Sequence, residues 1–260
     1  MPLIPERFRR RSHYNPEGTM TLVEHLEELR HRLFIAIGAV AVGSVIGWFL
    51  YSPVLHLLQD PYCDTLKDLP AGNRPPTGCN FVFSGVVEPV IIKLKVVVFL
   101  GLFIALPVVL WQLWAFIMPG LRKSERKWAI PFVLSSVFLF ALGALIAYLT
   151  LPKGLGFLLG FAGSGFTPLI TGDRFLGFVM LLAVAFGVSF EFPIVLIFLC
   201  GVGVISSDKL RQWRRGAILF IAVFAAVITP SADPYTMLAM MLPMVLFYEA
   251  AIIVARLMNK

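Results

Sequence analysis

The sequence predicts an all-α integral membrane protein with six transmembrane helices and both termini on the cytoplasmic side. Of its 260 residues, 58% are hydrophobic and only 14% are charged, whereas soluble proteins average about 25% charged residues. Several apolar runs reach the roughly 20 residues that a helix needs to cross the hydrocarbon core of a bilayer. We therefore exclude a water-soluble domain and expect one six-helix membrane domain, residues 21–260, after a flexible basic N-terminal extension, residues 1–20.

The helical part of the chain begins at a capping box. Thr21 and Glu24 can satisfy the free N–H groups at the start of a helix, and the leucines that follow form one apolar stripe, at residues 22, 26, 29 and 33. This pattern predicts an amphipathic helix that lies along the membrane interface and turns into the first span. Hydropathy then predicts six spans at about residues 33–51, 96–118, 129–151, 175–204, 217–228 and 237–255.

The last three predicted spans contain features that change their shape or length. Pro193 lacks an N–H group and predicts a kink in the fourth span, at Glu191-Phe192-Pro193. The fifth span has about 12 apolar residues, which cover only about 18 Å. Glu249 interrupts the sixth span. We therefore expect the fifth and sixth spans to be short.

The distribution of positive charge predicts the orientation of the chain. Sixteen of the 22 Lys and Arg residues fall on one side of the predicted topology and six on the other. Because cytoplasmic loops retain Lys and Arg, both termini are expected in the cytoplasm. The net charge of +7 therefore reflects topology, and we expect no nucleic-acid partner.

The longest outer segment, residues 52–95, is rich in proline, and we expect it to be partly ordered at best in its middle. This segment contains Cys63 and Cys79. The two cysteines can form one disulfide if this side of the membrane faces an oxidising compartment.

The sequence lacks the usual catalytic motifs. It contains no nucleotide-binding P-loop, no H-E-x-x-H helix and no G-x-S-x-G elbow, and its four histidines form no metal-ligand pattern. We therefore predict a non-enzymatic protein with no cofactor and no metal. Gly43 and Gly47 have the G-x-x-x-G spacing that lets helices approach closely, which is a weak signal for helix contact.

Two acidic residues stand out on the basic cytoplasmic side. Glu28 immediately precedes the first span, and Glu125 lies in the basic loop 121–127. Each can simply pair with a neighbouring cation, as Glu28 can with Arg32 at i,i+4. Alternatively, the two carboxylates can form a site for guanidinium groups, because a carboxylate binds arginine bidentately in a geometry that lysine does not match.

Two further carboxyl groups fall inside predicted spans, where they are costly and usually face the interior of a bundle. For Glu191, a functional role and a hydrogen-bonded packing contact are both open, whereas packing is favoured for Glu249, nearer the cytoplasmic end. Asp233, on an outer turn, can cap the sixth span. An alternative function is a proton-coupled small-solute transporter that uses Glu191 as its relay, although no internal repeat is visible.

Four motifs follow one another along the chain: residues 25–30 (HLEELR), residues 114–121 (WAFIMPGL) with Ser124-Glu125-Arg126, residues 186–193 (FGVSFEFP), and Thr229-Pro230 with Asp233. In this order they resemble the motifs of the TatC family, whose members are subunits of the twin-arginine protein translocase. The resemblance extends from about Thr21 to the C-terminus. The N-terminal extension and the middle of the first outer loop are unlike the family pattern.

The resemblance implies a receptor that binds the twin-arginine signal peptides of folded proteins in the bacterial cytoplasmic (inner) membrane. It implies a multimeric complex with single-span TatA- and TatB-type partners, contact with membrane lipids, and export driven by the proton-motive force. It also implies a concave bundle. By this resemblance, Glu28 and Glu125 engage the arginines of the signal, and Arg30 and Phe116 belong to the accompanying motifs.

The resemblance assigns three more positions. Glu191 matches the polar residue of the fourth span, on the concave face where the single-span partners dock. Asp233 and Pro61 match positions on the outer side. Cys63 and Cys79 match no family requirement, and a bridge between them would stabilise the chain locally.

Overall fold

The computed structural model describes residues 22–68, 74–75, 77–117, 129–161, 169–231 and 233–257. Within these ranges the protein is helical, as predicted, and its one β-type contact is an isolated parallel bridge between Val82 and Thr171. The helices of the described residues are α1 (Leu22–Phe49), α2 (Tyr51–Asp68), α3 (Glu88–Ile117), α4 (Ala129–Gly160), α5 (Gly172–Ser189), α6 (Phe192–Gly201), α7 (Ser207–Gln212), α8 (Arg214–Ile228) and α9 (Pro234–Leu257).

Five helical segments of the described chain are long and apolar enough to cross a membrane. They correspond to the first, second, third, fourth and sixth predicted spans, at Val23–Phe49, Glu88–Ile117, Ile130–Gly160, Gly172–Gly201 and Pro234–Leu257. The predicted fifth span is α8, which has 15 residues and a length of about 22 Å. It is therefore short, as the sequence predicts.

The first helix differs from the predicted interfacial helix with a turn. It runs without interruption from Leu22 to Phe49, because this stretch contains no proline and nothing else breaks its hydrogen-bond ladder. The leucine stripe also does not pack inside the protein, since Leu26 and Leu33 are 63% and 55% exposed. The small residues of α1 form its packed side instead.

Glycines join α1 to α3 at backbone contact distance. A Cβ atom on Gly43 would lie 2.6 Å from the carbonyl oxygen of Gly101, and one on Gly47 would lie 2.9 Å from the Leu100 Cβ. Such distances are below van der Waals contact, so only glycine allows this approach. The helix contact predicted from the glycine spacing is confirmed.

The order of these contacts shows that α1 and α3 are antiparallel. His25, near the start of α1, stacks on Phe116 at the end of α3, whereas Gly47, near the end of α1, faces Leu100. The start of α1 and the end of α3 therefore share one end of the bundle, called the inner end below. Pro152, late in α4, and Asp233, before α9, lie at the opposite, outer end, where Gly154 meets Asp233.

The first part of the outer segment, for which the sequence predicts a loop, forms α2 with Pro61 in the helix interior, whereas residues 69–73 and 76, in the middle of the segment, lie outside the described residues. Proline cannot donate to the carbonyl one turn before it, which here belongs to Leu57. The Tyr148 hydroxyl of α4 donates to that carbonyl oxygen at 2.9 Å. The Thr65 hydroxyl of α2 donates to the Pro152 carbonyl of α4 at 3.3 Å. These contacts hold α2 against α4 despite the proline.

Replacing Tyr148 with phenylalanine is expected to lower the free energy of unfolding by about 1 kcal/mol, because the Leu57 carbonyl loses its donor. Thermal unfolding of the purified protein measures this loss. Tyr235→Phe, at a tyrosine that is 51% exposed, is the matched control and should leave the midpoint unchanged. Equal midpoints for the two variants would show that the Tyr148 hydroxyl does not support α2.

The predicted kink and the predicted short sixth span have different outcomes. A break separates α5 from α6, and Pro193 lies in the first turn of α6, where its missing N–H removes no helical bond. The kink is thus confirmed. By contrast, α9 has 24 residues and is not shortened by Glu249, whose Oε2 accepts from the Arg214 Nη2 of α8 at 2.5 Å. Pairing with Arg214 offsets the cost of the Glu249 charge in this apolar helix.

Candidate functional site

Glu28 and Arg32 form an ion pair at the inner end of α1. Glu28 Oε1 accepts from Arg32 Nε at 3.0 Å and from Arg32 Nη2 at 2.5 Å. The third nitrogen, Nη1, donates to Gln112 Oε1 of α3 at 3.3 Å. The local pairing that the sequence allows is therefore present, and it also connects α1 to α3. Gln112 could not be identified from the sequence, because its role depends on the register between the two helices.

The second oxygen of the same carboxylate has no such partner. Glu28 Oε2 is buried and accepts no hydrogen bond from any described residue, although the side chain as a whole is 21% exposed. A buried acceptor without a donor costs about 1–3 kcal/mol, and such atoms are rare in folded proteins. Glu28 thus offers an oriented, unused acceptor beside a guanidinium that fixes its position.

A groove lies on the same side of α1 and has a volume of about 540 Å³. We call it the acidic groove; its lining residues are Glu24, Glu27, Glu28, Arg30, His31 and Phe34. Its carboxylates attract cations, although Arg32 already pairs with that of Glu28. Arg30, which the family resemblance assigns to the accompanying motif, lines the same groove.

Phe116 lies at the inner end of α3, next to this site. Its ring stacks on His25 of α1 with 4.3 Å between ring centroids and an angle of 19° between planes. The stack joins the ends of the two helices just before residues 118–128. Glu125 belongs to those residues and lies outside the part of the chain that the structure describes. The guanidinium site that the sequence predicts from Glu28 and Glu125 together therefore stays a prediction.

Glu191 lies at a second location, at the break between α5 and α6. Its Oε1 is buried and accepts no hydrogen bond from the described residues. Ser136 of α4 lies within hydrogen-bonding reach of the carboxyl group, and the Ser136 Oγ accepts from Trp114 Nε1 of α3 at 2.8 Å. The carboxyl is thus connected by polar contacts to α4 and α3. Sequence analysis missed this connection, although a tryptophan N–H and a serine hydroxyl in apolar helices need partners when buried.

An apolar groove of about 450 Å³ lies beside this carboxyl group. Residues of α4, α6 and α9 line it, and they include Pro193 and Ile194, directly after Glu191. Leu134 and Phe138 of α4 also line it and are 65% and 67% exposed. The lining of the groove is apolar, as packing against a transmembrane helix requires.

The remaining predicted site residues lie at the outer end, away from the acidic groove. Asp233 is buried and caps α9, since its carboxylate accepts from the Thr236 N–H at 2.8 Å and from the Thr236 hydroxyl at 2.5 Å. The predicted capping role is confirmed. Pro61 lies inside α2. Cys63 and Cys79 are both half-buried and carry free thiols.

Among the described residues, no group of three or more His, Cys, Asp or Glu side chains could hold a metal ion.

Comparison with known proteins places these sites in a family. Residues 24–243 match the family model described as Sec-independent protein translocase protein (TatC). A relative from Frankia casuarinae with the same description is 44% identical over 257 residues, which cover 96% of this chain and 70% of that protein. An Aquifex aeolicus relative is 38% identical over 244 residues, covering 93% and 97%. A crystal structure of a twin-arginine translocase receptor, TatC, superposes with a TM-score of 0.71 at 38% identity, covering 91% of this chain and 100% of that one.

Proposed function

Because the chain belongs to the TatC family of Sec-independent protein translocase subunits, we propose that it is the receptor for twin-arginine signal peptides of folded proteins. In this proposal the protein lies in the bacterial cytoplasmic membrane with both termini in the cytoplasm. It assembles with single-span TatA- and TatB-type subunits. By family resemblance, the proton-motive force supplies the energy for export.

The unused Oε2 atom of Glu28 carries this proposal. Arg32 occupies Oε1 and fixes the plane of the carboxylate, so Oε2 is presented to a donor from another polypeptide. An arginine of the signal that donates to Oε2 removes the cost of an unsatisfied buried acceptor. The carboxylate is then shared between the guanidinium of Arg32 and that of the signal.

The acidic groove favours arginine over lysine. Glu27 adds a carboxylate to that of Glu28, which strengthens the attraction of the groove for a guanidinium. The planar fork of arginine matches carboxylate geometry, whereas lysine acts as a point charge. Arg30 lines the same groove and, by family resemblance, belongs to the motif that surrounds the signal.

Glu125 completes the proposed site by family resemblance. It follows Ile117, the last residue of α3, by eight positions, and the end of α3 contacts the start of α1 through Phe116 and His25. We propose that its carboxylate binds the second arginine of the signal.

Photocrosslinking tests the location of the signal. A photoreactive phenylalanine analogue at position 31, in the acidic groove, should crosslink to an Arg-Arg signal peptide. The same analogue at position 213, at an exposed tryptophan of the α7–α8 junction, serves as the control and should give at most about a tenth of the adduct, because crosslinking needs the arginines held in place. Equal yields from the two positions would place the signal elsewhere.

Glu191 and the apolar groove beside it are the proposed docking site for a single-span partner helix. A buried acceptor at the edge of an apolar groove offers that helix one polar contact in an otherwise apolar interface, worth about 1 kcal/mol within a membrane. The short α8 supports the same activity, because a helix of about 22 Å favours local thinning of the bilayer.

Replacing Glu191 with methionine is expected to reduce crosslinking to the partner subunit about fivefold, because methionine has a similar size but no oxygen acceptor, and a contact of about 1 kcal/mol is lost. Binding of the signal peptide should change less than about twofold, since the acidic groove is unaltered. Glu249→Met, at a carboxyl group of α9 that pairs with Arg214, is the control and should keep the partner. Parallel loss of partner and peptide in Glu191→Met would contradict the proposed division of roles.

A further inference from the structure

We propose that Cys63 and Cys79 are a modification site, at which a thiol–disulfide oxidoreductase of the extracytoplasmic compartment introduces a disulfide. The bond would fix the segment that precedes α3 to α2. This inference rests on the orientation in the proposed function, which places both cysteines on the outer side of the membrane.

Direct contacts already hold the two cysteines together. The Cys79 thiol lies within hydrogen-bonding reach of Cys63. The side-chain amide of Gln59, one helical turn before Cys63, donates to the backbone carbonyl of Cys79. On the other side, the ring of Tyr62 stacks on Phe81 with 5.6 Å between centroids. Contacts on both flanks therefore position Cys79 against the α2 face that carries Cys63.

The same segment is anchored to the start of α5. The ring of Phe81 also packs on Phe175, with 5.3 Å between centroids, and Val82 forms the isolated β-bridge with Thr171. Because Tyr62 and Phe175 are buried, this aromatic cluster is part of the protein core. The proximity of the two thiols is therefore a fixed property of the fold, and formation of the bond requires no large rearrangement.

Disulfide formation takes two exchange steps. One thiol of the pair loses its proton and attacks the disulfide of the oxidoreductase, which forms a mixed disulfide and releases one enzyme thiolate. The other thiol then loses its proton and attacks the first cysteine sulfur, which releases the second enzyme thiolate. Two electrons and two protons leave the pair, and the enzyme disulfide is reduced.

The bond would act on the unfolded chain as well as on the folded one. It closes a loop between positions 63 and 79, and a loop of about 15 residues restricts the unfolded ensemble substantially. In the folded protein it would join α2 to the segment that leads into α3. The disulfide would thus stabilise the outer end of the bundle near Pro61, where α2 lacks one of its backbone hydrogen bonds.

Counting thiols in the full-length protein tests the proposal. In a Cys200→Ala background, membranes from aerobically grown cells are solubilised in denaturant with a polyethylene-glycol maleimide, with or without prior reduction. We expect no adduct without reduction and two adducts after it, whereas Cys63→Ser and Cys79→Ser should each give one adduct under both conditions. Two adducts without reduction would overturn the proposal.

Thermal unfolding provides a second readout. Reduction should lower the unfolding midpoint of the Cys200→Ala protein by about 5 °C and leave that of Cys63→Ser unchanged.

Signal binding, measured on the same preparations, separates this proposal from the proposed function. Free thiols in a protein that still binds the Arg-Arg peptide would refute the disulfide alone. Free thiols that a membrane-impermeant maleimide reaches only from the cytoplasmic side would refute the orientation as well, and with it the premise that the acidic groove faces the cytoplasm.

Discussion

Replacing Gly101 with valine is expected to separate α1 from α3 and to reduce the yield of folded protein at least about tenfold. A Cβ atom at Gly101 would lie 2.2 Å from the Ser44 hydroxyl oxygen and 2.7 Å from both the Ser44 backbone nitrogen and the Val40 carbonyl oxygen. Two of these three atoms are backbone, so the strain cannot be relieved by rotating a side chain. The recovery of monodisperse protein and its unfolding midpoint measure the effect.

Gly38→Val is the matched control for this prediction. Gly38 also lies within α1, but a Cβ atom there would meet no other atom within 4 Å. Its substitution should leave the yield and the midpoint close to those of the wild type, because valine and glycine are both poor helix formers. If Gly101→Val were as well folded as Gly38→Val, the glycine contact would not hold the two helices together.

Loss of this contact should also impair the proposed binding site. Arg32 on α1 reaches Gln112 on α3, and this bond requires the register that Gly43 and Gly101 set. Any Gly101→Val protein that is recovered should therefore bind the Arg-Arg peptide weakly. The glycines act on function through the position of the Glu28 carboxylate, although they lie far along the helices from it.

Glu28→Gln is expected to weaken binding of the Arg-Arg signal peptide by roughly 10- to 100-fold. The substitution preserves the shape of the side chain and one acceptor oxygen but removes the charge-assisted bond to the signal, worth about 1.5–3 kcal/mol. Titration of a fluorescent signal peptide against the protein in lipid nanodiscs measures the affinity. Folding should be little affected, because the partly exposed pair with Arg32 contributes at most about 1 kcal/mol.

Asp208→Asn is the control for Glu28→Gln, since it removes one negative charge from an exposed residue of α7, on the cytoplasmic side in the proposed orientation. Its affinity should stay within about twofold of the wild type, because an exposed charge outside the groove is screened by salt. Equal losses in the two variants would mean that the overall charge of the cytoplasmic side, and not the Glu28 carboxylate, attracts the signal.

Hydropathy and local chemistry predicted the spans because a bilayer imposes length and apolarity on each helix separately. The kink before Pro193 and the cap at Asp233 also follow from the chemistry of single residues. The helix α2 was missed because its prolines indicated a loop. Its buried residues Leu58, Tyr62 and Leu66 recur every four positions, and this helical period was the signal that could have identified it.

The sequence could not predict which side chains of different helices contact each other. Gln112 binds Arg32, Ser136 accepts from Trp114, and Arg214 pairs with Glu249. Each of these contacts depends on the relative rotation and register of two helices, which packing determines. For the same reason the sequence identified Glu28 as a candidate but not the state of its two oxygens. Oε1 accepts from Arg32, whereas Oε2 accepts from none of the described residues.

No observation favours the alternative of a proton-coupled small-solute transporter with Glu191 as its relay. The family match assigns the chain to a protein translocase. The polar contacts of Glu191 lead to Ser136 and Trp114, both of which are buried, and the groove beside it is apolar. These buried contacts and the apolar groove suit a partner helix better than a hydrated path for a solute.

A double-mutant cycle between Glu28 and the arginines of the signal tests the central claim most directly. The affinities of wild type and Glu28→Gln are measured for an Arg-Arg peptide and for its Lys-Lys counterpart. If Glu28 binds a guanidinium, the change to lysines should cost at least about tenfold in the wild type and at least about fivefold less in Glu28→Gln, where only the second arginine keeps its carboxylate. The same cost in both proteins would show that the carboxylate does not contact the arginines.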